Sequence, residues 1–372
     1  MSVPPPSVRQ RPSQTKIVAT VGPACDTVEA LIDLIRAGVD VFRLNTAHGG
    51  RQALTERLER IREASRTLRQ PVGVLVDLAG PKMRLGELPG GQLQCIQGQR
   101  LRFIRGREPA TPSELTTTYA PLVDELSPGD RVMLADGTVS LVVEEKGQDH
   151  AECRVVQPGL IRSRQGVNLP GVKLSAPSMD ENDRENAVWA AQNGIDFLGL
   201  SFVRTANDIV QLKSLLRAEK AETQVIAKIE KPEALEHLRT IVDAADGVMV
   251  ARGDLGVEID IARIGVVQKE IVALCNGLHK PVIIATQMLD SMQHSRLPTR
   301  AEVTDVANAV YEETDAVMLS GETSVGRYPE RCMAALDRIS RRIERSGGLG
   351  FGQAAQLHNE RHKSARAAVT LA

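Results

Sequence analysis

The amino-acid sequence predicts an α/β fold: a closed (β/α)8 barrel of parallel strands with an all-β domain inserted after the third strand. Three observations support this prediction. Short apolar segments alternate with helical patterns, and continuous apolar strands are typical of a parallel sheet covered on both faces. Eight such units favour a closed barrel over an open sheet. One long stretch rich in Gly, Pro and Thr interrupts the alternation after the third unit.

The first three units precede this interruption. The segment KIVATVG predicts a strand, and DTVEALIDLIRAG predicts a helix that Asp26 can cap, with Glu29 three residues later and Gly38 at its end. DVFRLN then predicts the second strand, residues 51–70 a helix, and VGVLVDLAG the third strand.

The interrupting stretch has the pattern of a small all-β domain. Its β-branched segments, such as RVMLADGTVSLVVEE and AECRVVQ, contain Asp-Gly turn signals, and no long helical pattern occurs among them.

The alternation then resumes with five more units. Ser178 and Glu181 fit a capping box for the next helix, and Thr299 with Glu302 fits a second one. The strands between the helices are FLGLSF, TQVIAKIE, DGVMVARGD, PVIIATQ and DAVMLSGE. The predicted divisions are a disordered leader (1–14), a barrel in two parts (15–85 and 169–345), an inserted β-barrel lid domain (86–168) and a C-terminal tail (346–372).

Composition argues against several classes of partner. The formal net charge of −1 disfavours nucleic acid and membrane surfaces, and no apolar run is long enough to span a bilayer. The five cysteines are far apart and have no metal-binding spacing, which indicates reduced thiols and a cytoplasmic protein.

Polar residues collect where the predicted strands end, which is where (β/α)8 barrels place their active sites. Lys228 and Glu230 are two residues apart, so both side chains point into the barrel mouth. The residues at the ends of strands two to eight are Arg43 and Asn45, Asp77, Ser201, Lys228 and Glu230, Arg252 and Asp254, Thr286 and Gln287, and Ser320 and Glu322.

Glu230 and Asp254 supply hard oxygen ligands from neighbouring strands. Two protein carboxylates, with water and substrate oxygens completing the shell, are typical of a Mg²⁺ site, with Mn²⁺ as an alternative ion. A salt bridge that closes the barrel end is the structural alternative. Charge at several strand ends disfavours that alternative, because interior barrel layers prefer Val, Ile and Leu.

Nine segments closely resemble pyruvate kinases, in order, between Lys16 and about Arg345. They are TKIVATVGPAC, RLNTAHG, GPKMRLG, GVNLPG, AKIE, MVARGDLG, ATQML, PTRAEVTDVANAV and MLSGET. The resemblance implies a TIM barrel with a mobile inserted lid. It also implies a cytoplasmic glycolytic enzyme that converts phosphoenolpyruvate and ADP to pyruvate and ATP, as a homo-oligomer (dimer or tetramer).

The resemblance also implies a role for each matching residue. Arg43 and Arg84 bind the transferring phosphoryl group, and Asn45 lies in the same phosphate-binding and nucleotide-binding region. Lys228 lies over the developing enolate, and Thr286 takes part in its protonation.

The remaining implied roles concern ions and the substrate carboxylate. Glu230 and Asp254 bind the divalent metal, and the backbone around Gly253 and Asp254 binds the carboxylate. The monovalent-cation region comprises Asn45, Asp77, Leu78 and Lys82.

Four features depart from the family pattern. Ala47 replaces a common serine, and Lys82 occupies a position where K⁺-requiring members carry glutamate, so the chain resembles the K⁺-independent branch and is predicted not to need K⁺. Gln165 replaces a second basic residue of the lid. The sequence resembles a short form without the usual C-terminal domain, so sugar-phosphate regulation is not expected.

Two other functions remain open at this stage. One is a metal-dependent lyase or aldolase that forms a pyruvate enolate, and the other is a catalytically silent regulatory homologue. Arg43, Arg84 and the inserted domain favour phosphoryl transfer over the former. The latter is disfavoured by the intact residues Lys228, Glu230, Asp254 and Thr286.

Overall fold

The computed structural model describes residues 13–350 except 82, 106–107, 110, 136, 173–174 and 176. The barrel begins with three strands, β1 (Lys16–Thr20), β2 (Val41–Asn45) and β3 (Gly73–Asp77), and two helices, α1 (Val28–Ala37) and α2 (Arg51–Leu68). Gly38 ends α1 in the left-handed region, as predicted, at φ 114°. The cap of α1 is Thr27 rather than Asp26, because the Asp26 carboxylate pairs with Arg57 and Arg60 of α2.

The chain then enters the inserted all-β region. Its strands are β4 (Gln92–Cys95), β5 (Arg100–Ile104), β6 (Glu114–Leu115), β7 (Arg131–Leu134), β8 (Val139–Lys146), β9 (His150–Gln157), β10 (Gly159–Arg162) and β11 (Val167–Asn168), with a short helix α3 (Leu122–Glu125). They form a six-stranded sheet, in the order β11-β7-β8-β9-β5-β6, and a two-stranded sheet of β10 and β4. Leu101, Phe103 and Leu141 are fully buried in a core that belongs to this region alone.

Five more strands complete the barrel. They are β12 (Phe197–Leu200), β13 (Gln224–Ile229), β14 (Gly247–Ala251), β15 (Val282–Ala285) and β16 (Ala316–Leu319). The helices are α4 (Glu181–Gln192), α5 (Ala206–Ala218), α6 (Pro232–Glu236), α7 (Leu238–Ala244), α8 (Arg252–Glu258), α9 (Ile264–Gly277), α10 (Arg300–Tyr311), α11 (Gly321–Ser324) and α12 (Pro329–Glu344). Short 3-10 helices cover Pro89–Gly91, Ile261–Arg263 and Asp290–Gln293.

The eight barrel strands pair in parallel and close between β16 and β1. The interior is lined by apolar side chains such as Val18, Leu75, Met249 and Met318, while a larger core lies between the strands and the helices. The closed parallel barrel with an inserted β region confirms the predicted fold class.

Of the two capping boxes that the sequence predicts, the structure confirms one. The capping box of Thr299 and Glu302 at α10 is confirmed. The predicted box of Ser178 and Glu181 is wrong, because α4 begins two residues later and its box is formed by Asp180 and Asp183. Asp183 is therefore buried at the point where the chain returns from the insert.

The predicted domain boundaries stay predictions. Residues 1–12 of the predicted leader and 351–372 of the predicted tail lie outside the described part of the chain. Within the described residues, no helix is long and apolar enough to cross a membrane.

Candidate active site

A buried charged cluster lies at the carboxyl ends of β3 and β13. The ammonium of Lys228 is 3.1 Å from Asp77 Oδ1 and 2.9 Å from Glu230 Oε1, and it donates a hydrogen bond of 2.7 Å to Ser201 Oγ. Lys228 is 8% exposed and both carboxylates are 1% exposed. β12 lies between β3 and β13 in the barrel, and the parallel alignment of these three strands brings Asp77, Ser201 and Lys228 together although they are far apart in sequence.

Arg43 of β2 extends this cluster. Its Nε donates to Asp77 Oδ2 at 2.8 Å, and its Nη1 donates to Thr20 Oγ1 at 3.1 Å. Asp77 is therefore flanked by two cations, the guanidinium of Arg43 and the ammonium of Lys228. Its Oδ1 atom makes an ion pair with Lys228 but has no hydrogen bond of good geometry within the described residues.

The charges in the cluster shift one another's pKa values. Burial on its own would raise the pKa of Asp77, but Lys228 and Arg43 together hold it below its usual value. Burial would lower the pKa of Lys228, yet Asp77 and Glu230 raise it, so the lysine stays charged. The pKa of Glu230 is raised, first by burial and also by the negative charge of Asp254, despite the opposing effect of Lys228.

Asp254 and Glu230 are the residues that would hold a divalent metal. Their mutual repulsion, which contributes to the raised pKa of Glu230, is what a cation bound between them would relieve. Within the described residues, no three His, Cys, Asp or Glu side chains form a metal-binding group. A donor set of two carboxylates fits Mg²⁺, which takes its other ligands from water and substrate oxygens.

Thr286 and Gly253 lie beside each other across β14 and β15. The amide of Gly253 donates to Thr286 Oγ1 at 2.8 Å, and that hydroxyl donates to the Ala285 carbonyl at 2.7 Å. Thr286 and Gln287 both have left-handed backbones, with φ of 67° and 54°. This turn places the hydroxyl next to the first turn of α8, which also carries Asp254.

Arg84 lies in the segment between β3 and the inserted strands and lines a cleft. It pairs with Gly166 in an isolated bridge, and its Nη1 donates to the Arg164 carbonyl at 3.2 Å. Arg84 and Asp254 line the same pocket, with Asn168, Phe202 and Lys231 among the other lining residues. Arg84 and Asp254 therefore border one cleft, although they are far apart in sequence.

Gln165 does not extend into this cleft as a substitute for a basic side chain. Its Oε1 accepts a hydrogen bond of 2.6 Å from the Arg162 amide, so it stabilises the turn between β10 and β11.

In the described part of the predicted monovalent-cation region, each residue has a protein partner. Asn45 Oδ1 accepts the Ala47 amide at 3.0 Å, and the Leu78 carbonyl accepts the Ser201 hydroxyl at 2.6 Å. Asp77 is engaged by Arg43 and Lys228. Lys82 lies outside the described residues.

Two of the predicted strand-end residues, Glu322 and Arg252, make structural contacts outside the charged cluster. Glu322 accepts the amides of Leu289 and Ser320, at 3.0 and 2.8 Å, and so connects loops beyond β15 and β16. Arg252 pairs with Asp305 at 2.7 Å and donates to the Thr286 carbonyl at 2.8 Å. Arg252 therefore stabilises the turn at Thr286 by binding its backbone carbonyl.

Sequence patterns did not reveal the contacts around Phe202 and Lys231. Phe202 donates its amide to Glu230 Oε2 at 2.7 Å, and Lys231 forms a buried ion pair with Glu258 at 2.5 Å. The one available signal was the second lysine in Lys-Ile-Glu-Lys, directly after Glu230.

Comparisons with known proteins agree with this geometry. Residues 12–333 match the family model "Pyruvate kinase, barrel domain". Pyruvate kinase of Geobacillus stearothermophilus is 42% identical over 336 residues, and pyruvate kinase 2 of Synechocystis sp. PCC 6803 is 44% identical over 337. Each alignment covers 90% of this chain but 57% of the relative, so the chain spans little more than half of their length.

Among solved structures, a pyruvate kinase from Cryptosporidium parvum superimposes with a TM-score of 0.86 at 38% identity. That superposition covers 90% of this chain and 70% of the other.

Proposed function

This chain belongs to the pyruvate kinase family, and on that premise we propose that it transfers the phosphoryl group of phosphoenolpyruvate to ADP, giving pyruvate and ATP in glycolysis. The observation that supports this most is the buried cluster in which Lys228 lies between Asp77 and Glu230, with Asp254 on the adjacent strand end. The cluster concentrates the charges that phosphoryl transfer requires.

Phosphoryl transfer depends on positioning and on neutralising the oxygens that share charge in the transition state. Lys228 and Arg43 supply fixed positive charge, since Asp77 holds both side chains in place. Arg84, which lines the same cleft as Asp254, would add a third cation. A Mg²⁺ ion held by Glu230 and Asp254, or Mn²⁺ in its place, would supply further positive charge to the phosphoryl oxygens.

The second half of the reaction is protonation of the enolate at C3. Thr286 would take part in this step, because two hydrogen bonds hold its hydroxyl in place at the barrel mouth. The backbone at Gly253 and Asp254 would bind the substrate carboxylate, in exchange for the present bond from Gly253 to Thr286. The inserted region would close over the cleft and exclude water.

The direct test is a coupled assay for ATP formation from phosphoenolpyruvate and ADP, with and without Mg²⁺. We expect Mg²⁺-dependent ATP formation. Enolate chemistry without ATP would indicate a lyase or aldolase, and absence of both reactions in folded protein would indicate a silent homologue.

We also propose that the activity does not require K⁺. The oxygens of Asn45 and Leu78 that would bind the ion already accept protein hydrogen bonds, and Asp77 is paired with two cations. Ala47 offers no hydroxyl, and Lys82 supplies a tethered charge in the same segment.

Turnover in tetramethylammonium buffer, titrated with KCl at constant ionic strength, tests this proposal. We expect a flat response, whereas large and saturable activation would contradict it. Lys82→Glu should introduce partial K⁺ dependence; if that variant stays fully active without K⁺, Lys82 is not the substitute cation.

Assembly and location complete the proposal. We expect a homo-oligomer, a dimer or a tetramer, in the cytoplasm. Light scattering during size-exclusion chromatography would measure the assembly, and a monomeric mass at assay concentrations would contradict it.

A further inference from the structure

Phe202 has an unusual backbone conformation next to Glu230, one of the two proposed metal ligands. It follows β12 with φ of 53°, in the left-handed region that bulky side chains seldom adopt. Such residues persist only where their surroundings hold them, and they cluster at functional sites. The amide that this conformation presents donates to Glu230 Oε2 at 2.7 Å.

The ring of Phe202 has contacts that explain how the backbone is held. Gly80 lies against it so closely that a Cβ atom there would be 2.5 Å from the ring atom Cδ2. The Lys231 ammonium lies 5.8 Å from the ring centroid, within reach of a cation–π interaction, and is fixed there by Glu258. Lys231 and Glu258 are 8% and 7% exposed, so this ion pair has little freedom to move.

These contacts connect three segments around one carboxylate. Gly80 precedes the insert, Lys231 follows Glu230 directly, and Glu258 ends α8, the helix that also carries Asp254. The other oxygen of Glu230 faces Lys228 at 2.9 Å. The Phe202 amide is thus the neutral hydrogen-bond donor that fixes the orientation of the Glu230 carboxylate.

We infer that Phe202 is a positioning residue of the divalent-metal site: its clamped ring keeps the backbone left-handed, and that backbone aims an amide at Glu230. The inference rests on the proposed function, since it assumes that Glu230 binds the metal. Partners that orient a metal-binding carboxylate typically affect metal affinity by about 10- to 100-fold.

The test is direct binding of Mn²⁺, followed by the electron paramagnetic resonance signal of the free ion, without substrates or turnover. Phe202→Ala loses the ring, and alanine disfavours positive φ, so we expect Mn²⁺ to bind roughly 10- to 100-fold more weakly. Phe202→Gly also loses the ring but adopts positive φ freely, so it should bind more tightly than Phe202→Ala. Phe202→Tyr keeps the ring and should match the wild type.

Matched variants separate this effect from a general loss of stability. Phe197→Ala removes an aromatic ring at the opposite end of β12 and should not change Mn²⁺ affinity. Phe202→Leu preserves more apolar volume and should weaken Mn²⁺ binding as Phe202→Ala does. It replaces the alanine variant if that variant does not fold. In kinetics, the Mg²⁺ concentration for half-maximal activity should rise more than kcat falls.

Three results would overturn the inference in distinguishable ways. If Glu230→Gln weakens Mn²⁺ binding but Phe202→Ala and Phe202→Leu do not, the positioning role is wrong and the metal site stands. If Glu230→Gln also leaves binding unchanged, the proposed metal site is wrong and the inference fails with it. Equal affinities for the Ala and Gly variants would show that the backbone conformation does not carry the effect.

Discussion

The charged residues of the barrel mouth and those of the inserted β region are in opposite environments. At the mouth, the side chains of Lys228 and Asp77 are 10% and 2% exposed. On the insert, Arg102 pairs with Glu152, and these side chains are 43% and 20% exposed. The distance between partners is short in both places, so the difference lies in access to water.

This difference separates charges kept for chemistry from charges that solvate a surface. Burying an ion pair costs desolvation free energy that the mutual attraction often only offsets, so it is weak evidence for stability. Exposed pairs cost little and contribute little. A cluster of buried charges at the ends of barrel strands is therefore better explained by function, and substitutions in the two regions should differ greatly in effect.

The largest effect is expected for Lys228→Met. The substitution removes a full charge aimed at the transition state, so ATP formation should fall by several orders of magnitude, more than the roughly 10²–10³-fold typical of losing one oxyanion donor. Mn²⁺ binding should persist, because Glu230 and Asp254 remain. Lys213→Met, which breaks a partly exposed pair with Asp246, is the control. Nearly normal turnover would remove Lys228 from the catalytic site.

A large effect, confined to the Mg²⁺ requirement, is expected for substitutions of the proposed metal ligands. Glu230→Gln or Asp254→Asn removes one of two anionic ligands, so the Mg²⁺ requirement should rise by more than the ~10- to 100-fold typical of residues that only orient a ligand. The measurement is a Mg²⁺ titration of the initial rate. Glu233→Gln is the matched control, because Glu233 lines the same cleft but is not a predicted ligand. An unchanged titration would place the ion elsewhere.

The sequence predicted the barrel and its charged mouth for the same physical reason. Parallel strands bring their carboxyl ends to one side, so Asp77, Lys228 and Asp254 could be placed together from strand positions alone. The contacts of Phe202 could not be predicted, because they depend on a loop conformation and on Glu258, which follows Lys231 by 27 residues. Local patterns also misplaced the start of α4, where both Ser178 and Asp180 are able to cap a helix.

A moderate effect, on stability rather than activity, is expected at Asp183, a buried carboxylate that contrasts with Asp77. Asp183 is as buried as Asp77, but its carboxylate accepts hydrogen bonds from backbone amides, including those of Gly80 and Asp180. Burial, with the nearby charge of Asp180, raises the pKa of Asp183 to about 6. The pKa of Asp77 is instead lowered, so the two carboxylates should give opposite dependences of stability on pH.

The sign follows from linkage. Since the folded pKa of Asp183 lies above the ordinary aspartate value of 3.8, its stabilising contribution is present below about pH 4 and is lost as the pH rises through 6. The loss is at most about 3 kcal/mol, because one pKa unit corresponds to about 1.4 kcal/mol and partial solvation reduces it.

Asp183→Asn should flatten the slope of unfolding free energy between pH 4 and pH 7, measured by denaturant titration. Asp208→Asn is the control, because Asp208 has the same capping-box position at the start of α5. A slope that is unchanged in Asp183→Asn would show that other groups cause it.

The smallest effect is expected on the insert, where Arg102→Gln removes a partly exposed ion pair. The hydrogen bond from Arg102 lowers the pKa of Glu152, so the two side chains do interact. Water and salt screen this attraction, and exposed pairs typically contribute only about 0.2–1 kcal/mol. A double-mutant cycle of Arg102→Gln and Glu152→Gln, followed by denaturant unfolding at low and high salt, should give a coupling energy in that range that decreases with salt. ATP formation should be unaffected. A coupling energy that is large and independent of salt would mean that the insert protects its charges as the barrel mouth does, and the contrast between the two regions would no longer distinguish function from solvation.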